Sequence, residues 1–76
     1  MNNNPMKILI NGQHYELCEI TEKNIHQALK LYLNKNQHQE SFAVALNGDF
    51  VGKESYRQTK LTTNDSIDVL FPIQGG

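Results

Sequence analysis

Ser66-Ile67-Asp68-Val69-Leu70-Phe71-Pro72 decides the fold. Ile67, Val69 and Phe71 alternate with Asp68 and Leu70, the period of a strand with one face against a core. Pro72 cannot donate a ladder hydrogen bond, so pairing is expected to weaken there. Asn64-Asp65 just before the strand reads as a turn. Beyond it, Gln74-Gly75-Gly76 is expected to leave the body as a flexible tail.

At the other end of the chain, Met1-Asn2-Asn3-Asn4-Pro5 is polar and aperiodic and reads as a disordered leader. Met6 to Ile10 is a short, mostly apolar run, as expected of a buried strand. Asn11-Gly12 follows, the strongest two-residue hairpin signal, because a type I′ turn needs positive φ at both central positions. Tyr15 and Leu17 then alternate with Glu16 and Cys18. The spacing predicts a hairpin from strands at residues ~6–11 and ~13–19. Thr21 is a candidate N-cap, Glu22 complements the helix dipole, and Ile20 with Ile25 suits a hydrophobic staple. Ile25, Ala28, Leu29, Tyr32 and Leu33 recur at helical spacing, with Lys23, Asn24, Gln27, Lys30 and Asn34 opposite. This predicts one amphipathic helix over residues ~22–35. The polar stretch Asn36 to Glu40 ends it. Phe42 to Leu46 reads as a third strand, closed by Asn47-Gly48, and Phe50-Val51 as a brief fourth. Gly52 to Thr63 has no sustained period, and Tyr56 and Leu61 are its apolar anchors.

A helix between two strand pairs must cover one sheet face, which gives a two-layer α+β domain. A central final strand can run parallel to the first through a right-handed crossover. That arrangement is the β-grasp, or ubiquitin-like, architecture: a mixed sheet of four to five strands with one helix packed on one face. The expected division is a leader at residues 1–5, the β-grasp domain at 6–73 and the tail at 74–76.

With 76 residues the chain makes one domain, which buries only about 60–65% of the surface of its unfolded form. It has little room for an enclosed catalytic cavity, so a binding or carrier module is favoured over an enzyme. The net charge is −1, and the basic residues form no run, so nothing marks a nucleic-acid surface. Cys18 is the only cysteine. This excludes a disulfide framework and a multi-cysteine zinc site, and suits a reducing compartment. No stretch approaches the ~20 apolar residues of a membrane span. The N-terminus shows no basic region followed by an apolar one, as a secretory signal would. A cytoplasmic protein with no membrane partner is expected.

The tail is the leading chemical candidate. Glycine lacks Cβ, so Gly75-Gly76 can thread a narrow channel. Residues 74–76 reach roughly 10 Å when extended. A carboxylate is a poor acyl donor, and adenylation would turn the Gly76 terminus into a good one that can exchange oxygen for sulfur. His14, His26 and His38 show no pair at ligand spacing, so no metal is expected. Cys18 has no obvious adjacent base and reads as structural, a small apolar side chain of the kind usually buried. Gly48 and Gly52 read as turn glycines, since they form no phosphate-binding pattern. No Ser, His and Asp arrangement suggests a triad. If Ile67, Val69 and Phe71 face the core, Leu70 and Pro72 face the open side of the sheet and can dock a partner beside the tail. Lys53, Tyr56 and Arg57 are further docking candidates near that face.

Phe42-Ala43-Val44-Ala45-Leu46-Asn47-Gly48-Asp49-Phe50-Val51 resembles the strand–turn–strand of the sulfur carrier proteins of thiamine biosynthesis, the ThiS family. The opening hairpin at Asn11-Gly12, the segment Asn64-Asp65-Ser66-Ile67-Asp68-Val69 and the closing Gly75-Gly76 fit the same family. The resemblance spans essentially residues 6–76. There are departures: Asn64 stands where Gly is usual, Gly52 and Lys53 where Pro and Arg are common, and Tyr56 where Trp is frequent. Pro72 is more a feature of the molybdopterin synthase small subunit. The resemblance implies that a ThiF-like, E1-type adenylyltransferase uses ATP to adenylate Gly76. Sulfur from a cysteine desulfurase then yields a C-terminal thiocarboxylate, and a ThiG-like thiazole synthase accepts it. On this reading the carrier binds no cofactor and has no catalytic side chain of its own. Three alternatives remain: a molybdopterin-type sulfur carrier, whose usual longer insertions are absent here, a ubiquitin-like protein modifier, and a β-grasp interaction module with an inert tail.

Overall fold

Two Asn-Gly pairs bend the chain where left-handed backbone is needed. Asn11 and Gly12 have φ of 52° and 80°, and Asn47 and Gly48 have 51° and 90°. Asparagine and glycine are the residues that adopt this region at least cost, so each pair closes a tight hairpin. A computed structural model describes residues 5–19, 21–36 and 42–71. In it, β1 (Met6–Ile10) and β2 (Gln13–Leu17) form the first hairpin, and β3 (Ala43–Leu46) and β4 (Asp49–Val51) the second. Helix α1 (Ile25–Asn36) lies between them in sequence. A 3₁₀ turn (Lys53–Ser55) and an irregular segment lead to β5 (Ser66–Leu70). Asn64, at φ 71°, supplies the left-handed residue of the turn before β5. The expected leader, apart from Pro5, the polar loop at 37–41 and residues 72–76 lie outside the described residues.

The strand order is β2-β1-β5-β3-β4. The last strand is central, as the order of elements predicted: parallel to β1 and antiparallel to β3. This is the β-grasp arrangement. Ile67 and Val69 of β5 point inward with Ile8, Ile10, Tyr15, Leu17 and Val44 from the other strands. Ile25, Ala28, Leu29 and Tyr32 of α1 close over them, and Leu61 completes the core. Ile8, Ile10, Ile25, Val44 and Ile67 are fully buried, each contributing about 1.5–3 kcal/mol through removal from water. Tyr15 and Tyr32 meet edge to face at 5.9 Å, the geometry that aromatic quadrupoles favour. No helix among the described residues is long and apolar enough to cross a membrane.

The start of α1 corrects the sequence reading. The helix begins at Ile25, three residues later than expected, and its N-cap is Asn24 rather than Thr21. Asn24 Oδ1 accepts from Gln27 N–H at 2.9 Å, and the Asn24 carbonyl accepts from Ala28 N–H. The two remaining N–H groups of the first turn donate outward, Ile25 to the Thr59 carbonyl and His26 to the Tyr56 carbonyl, each at 3.2 Å. The three otherwise unpaired donors of the first turn, on Ile25, His26 and Gln27, are therefore satisfied. Thr21 is excluded because the chain before Asn24 is extended. Lys23 accepts from Leu61 N–H at 2.8 Å, and Asn24 forms an antiparallel bridge with Lys60. Glu22 thus precedes the helix and lies outside its first turn. Ile25 stands at the first helical position, so it cannot form the expected staple, and Ile20 lies outside the described residues. Asn24 is buried rather than on a solvated face. Its Nδ2 donates to the Arg57 carbonyl at 3.2 Å, so both ends of its amide are used.

Candidate functional site

The strand that leads to the tail presents two different faces. Inward, Ile67 and Val69 are buried, and Phe71 packs half-buried against the core. Phe71 also meets Phe42 edge to face at 5.9 Å, a contact that fixes the chain just after β5. Outward, Leu70 is 52% exposed. The expectation that Leu70 faces the open side of the sheet therefore holds. Pro72, Gln74, Gly75 and Gly76 lie outside the described residues.

The register of the second hairpin extends this face. Leu70 stands opposite Ala43, Asp68 opposite Ala45, and Ala45 opposite Phe50. Paired residues project to the same side of a sheet. Phe50, Ala45, Ala43 and Leu70 consequently make one apolar patch beside the root of the tail, with Asp68 at its edge. Phe50 is 78% exposed, the most exposed large apolar residue described. Sequence reasoning placed Phe50 in a strand and did not assign it to this face. The signal was present: a two-residue turn at Asn47-Gly48 fixes Ala45 opposite Phe50, and Val51 must point inward. A phenylalanine that is mostly in water is a candidate contact for a partner rather than a core residue.

Tyr56 and Arg57 are placed at the helix start, which corrects their grouping with the open face. Lys53 starts the 3₁₀ turn and is exposed. Tyr56 packs its side chain against the core, and its carbonyl accepts from the helix start, as does that of Arg57. Burial, and then the nearby Glu54 carboxylate, raise the Tyr56 phenol above its ordinary pKa, so it stays neutral. The segment is tied to the helix start because it supplies the carbonyls that cap α1.

The remaining candidates are quickly placed. Cys18 follows the end of β2 and is exposed, which corrects the expectation of a buried thiol: Tyr15 and Leu17 point inward, and Cys18 falls with Glu16 on the outward side of that alternation. His14 is exposed, His26 is half-buried, and His38 lies outside the described residues. Among the described residues, no group of three or more His, Cys, Asp or Glu side chains gathers where a metal could be held.

Comparison with known proteins agrees with this geometry. The model of the ThiS family matches residues 7–76. Among solved structures, the chain is similar to the thiamine biosynthesis protein (ThiS) from Geobacter metallireducens. The TM-score is 0.71 at 24% sequence identity, over 93% of this chain and 100% of that one. That likeness establishes the fold. No curated protein matches the chain.

Proposed function

The chain belongs to the ThiS family, the sulfur carriers of thiamine biosynthesis, and we propose that it carries sulfur as a thiocarboxylate on Gly76. The observation that supports this reading is the family match, which runs through Gly75-Gly76. In the first step the Gly76 carboxylate attacks the α-phosphate of ATP on a partner adenylyltransferase, forming an acyl adenylate and releasing pyrophosphate. A persulfide sulfur, derived from cysteine by a desulfurase, then attacks the acyl carbon and displaces AMP. A thiol supplies the two electrons that cleave the resulting S–S bond, leaving the thiocarboxylate. Thiazole synthase accepts the sulfur. ATP is used by the partner, and the carrier contributes a substrate and no catalytic side chain.

The body of the domain serves as the handle. Phe50 and Leu70 offer apolar surface to the partner, and the glycine pair passes through a channel too narrow for side chains. The chemistry belongs to a reducing compartment such as the cytoplasm, in keeping with the single unpaired thiol of Cys18.

Intact-mass measurement after incubation with the adenylyltransferase, ATP and a sulfur source tests this. The expected result is the mass gain of one oxygen-to-sulfur exchange, confined to Gly76 and absent from a chain lacking that residue. A terminus left unmodified by a demonstrably active enzyme would overturn the proposal. Sulfur passing to a molybdopterin synthase large subunit and not to thiazole synthase would change the acceptor while leaving the tail chemistry in place.

A further inference from the structure

Asn11 was read as a turn residue, and its positive φ bears that out. Its side chain has a second task. The parallel ladder between β1 and β5 runs through Leu9 N–H to the Asp65 carbonyl and Asn11 N–H to the Ile67 carbonyl, both at 2.9 Å. In a parallel ladder the next bond would run from Val69 N–H back to the Asn11 backbone carbonyl. At Asn11, however, the chain turns into the hairpin. The side-chain carbonyl takes over: Val69 N–H donates to Asn11 Oδ1 at 2.8 Å. Asn11 Nδ2 in turn donates to the Val69 carbonyl at 3.3 Å, where the following strand residue would have done so. The same Nδ2 donates to Tyr32 Oη at 2.9 Å. One amide thus continues the ladder past the end of β1 and ties it to the helix.

Val69 is the last buried residue of β5. Directly after it come Leu70, on the exposed patch, and the chain that runs on to Gly76. We propose that Asn11 is a positioning residue for the docking patch: its amide clamps Val69 from the β1 side of β5 and so, together with β3 on the other side, holds Leu70 on the docking face. This inference rests on the carrier reading. Without the amide, β5 from Val69 onward would be held only by β3 and by Phe71 against Phe42, so it would fray more readily and loosen Leu70 in the patch that the partner recognises. Fraying would weaken recognition of the carrier while leaving the reacting carboxylate unchanged.

The test uses the full chain carrying Asn11→Gly. This variant keeps a residue suited to positive φ and removes the amide alone. Hydrogen exchange of the Val69 amide is expected to speed up about tenfold more than that of Val44, whose exchange follows global stability, because the lost bonds also act locally. In steady-state charging by the adenylyltransferase, KM for the carrier should rise about three- to tenfold with kcat within about twofold, as for loss of a docking contact. Ile25→Val is the comparison, a smaller core change placed at the helix start, and it should leave KM unchanged. Wild-type exchange at Val69 together with wild-type KM in Asn11→Gly would overturn the clamp. An equal rise of KM in Ile25→Val would overturn it too, by showing that general destabilisation suffices. Should Asn11→Gly fail to fold, Tyr32→Phe removes one partner of the amide, and an unchanged KM there would count against the inference. A wild-type chain that is never charged sinks the carrier reading and, with it, the role in charging, while Val69 exchange still decides whether the clamp exists.

Discussion

The Asn11-Gly12 and Asn47-Gly48 turns have nearly the same backbone, with all four residues at positive φ. They flank β5 on opposite sides and at opposite ends. Asn47 N–H donates to the Ser66 carbonyl at 2.7 Å, and Ser66 N–H donates back to Asn47 Oδ1 at 2.9 Å. At the far end, Val69 N–H donates to Asn11 Oδ1. Both asparagines therefore supply a side-chain carbonyl for a strand bond. The turns differ in the second partner of each amide. Asn11 reaches inward to Tyr32, whereas Asn47 Nδ2 donates to the exposed carboxylate of Asp65 at 3.0 Å. One dipeptide thus closes a hairpin in both places, but it joins the core in one and meets solvent in the other. Hydrogen bonds near solvent contribute less, because water replaces a lost partner.

Replacing each asparagine by glycine gives the largest test of this contrast. Asn11→Gly removes three side-chain bonds and leaves Val69 N–H short of an acceptor, so a loss of about 2–3 kcal/mol is expected. Asn47→Gly should cost about 1 kcal/mol, since water can reach Ser66 and Asp65. In thermal unfolding, a domain of this size loses about 4–8 °C per kcal/mol, so the two variants should be well separated. Equal midpoints would break the comparison.

Gly12→Ala and Gly48→Ala sharpen it from the other side. An added Cβ would meet nothing within 4 Å at either glycine, so the cost is backbone strain alone. At φ of 80° and 90° that is about 1 kcal/mol each. Denaturant midpoints should fall by the same amount in both variants. A large inequality would mean that the two turns differ in backbone as well as in side-chain partners.

How much of this was legible in the sequence follows from how far apart the interacting groups lie. The turns were readable because positive φ is a local demand that Asn-Gly meets. Central β5 was readable from the order of elements and the crossover rule, and exposed Leu70 because alternation along one strand assigns both faces. The amide of Asn11 was not, because its partner Val69 lies at the other end of the chain and any turn asparagine looks alike in sequence. The same reason explains the helix start. Thr21 and Asn24 are both acceptable caps locally, and the choice is made by Arg57, Thr59 and Leu61, which no local pattern connects to Asn24. Phe50 was within reach through the hairpin register. The tail's chemistry came from family resemblance and not from any arrangement of side chains.

The smallest expected effect concerns acid, and it should touch only one of the two turns. Burial alone would raise the Asp65 carboxyl. Hydrogen bonds from Thr62 N–H, from the Asn47 amide and from the Thr62 hydroxyl outweigh burial and hold the pKa below its ordinary value. A carboxyl depressed in the folded state stabilises the fold above its unfolded pKa, about 3.9. That contribution is lost as pH falls through the lower, folded value. The stability difference between the wild-type chain and Asp65→Asn should therefore be constant above about pH 5 and shrink below about pH 4. Protection of the Ser66 amide, its exchange measured against the intrinsic rate at each pH, should fall over the same acid range, because protonated Asp65 no longer holds Asn47 in place. Val69 should show no such response, since Asn11 does not bond to a carboxylate. Acid-dependent exchange at Val69 that matches Ser66 would mean that the two asparagines act as one coupled frame along β5 rather than as separate clamps.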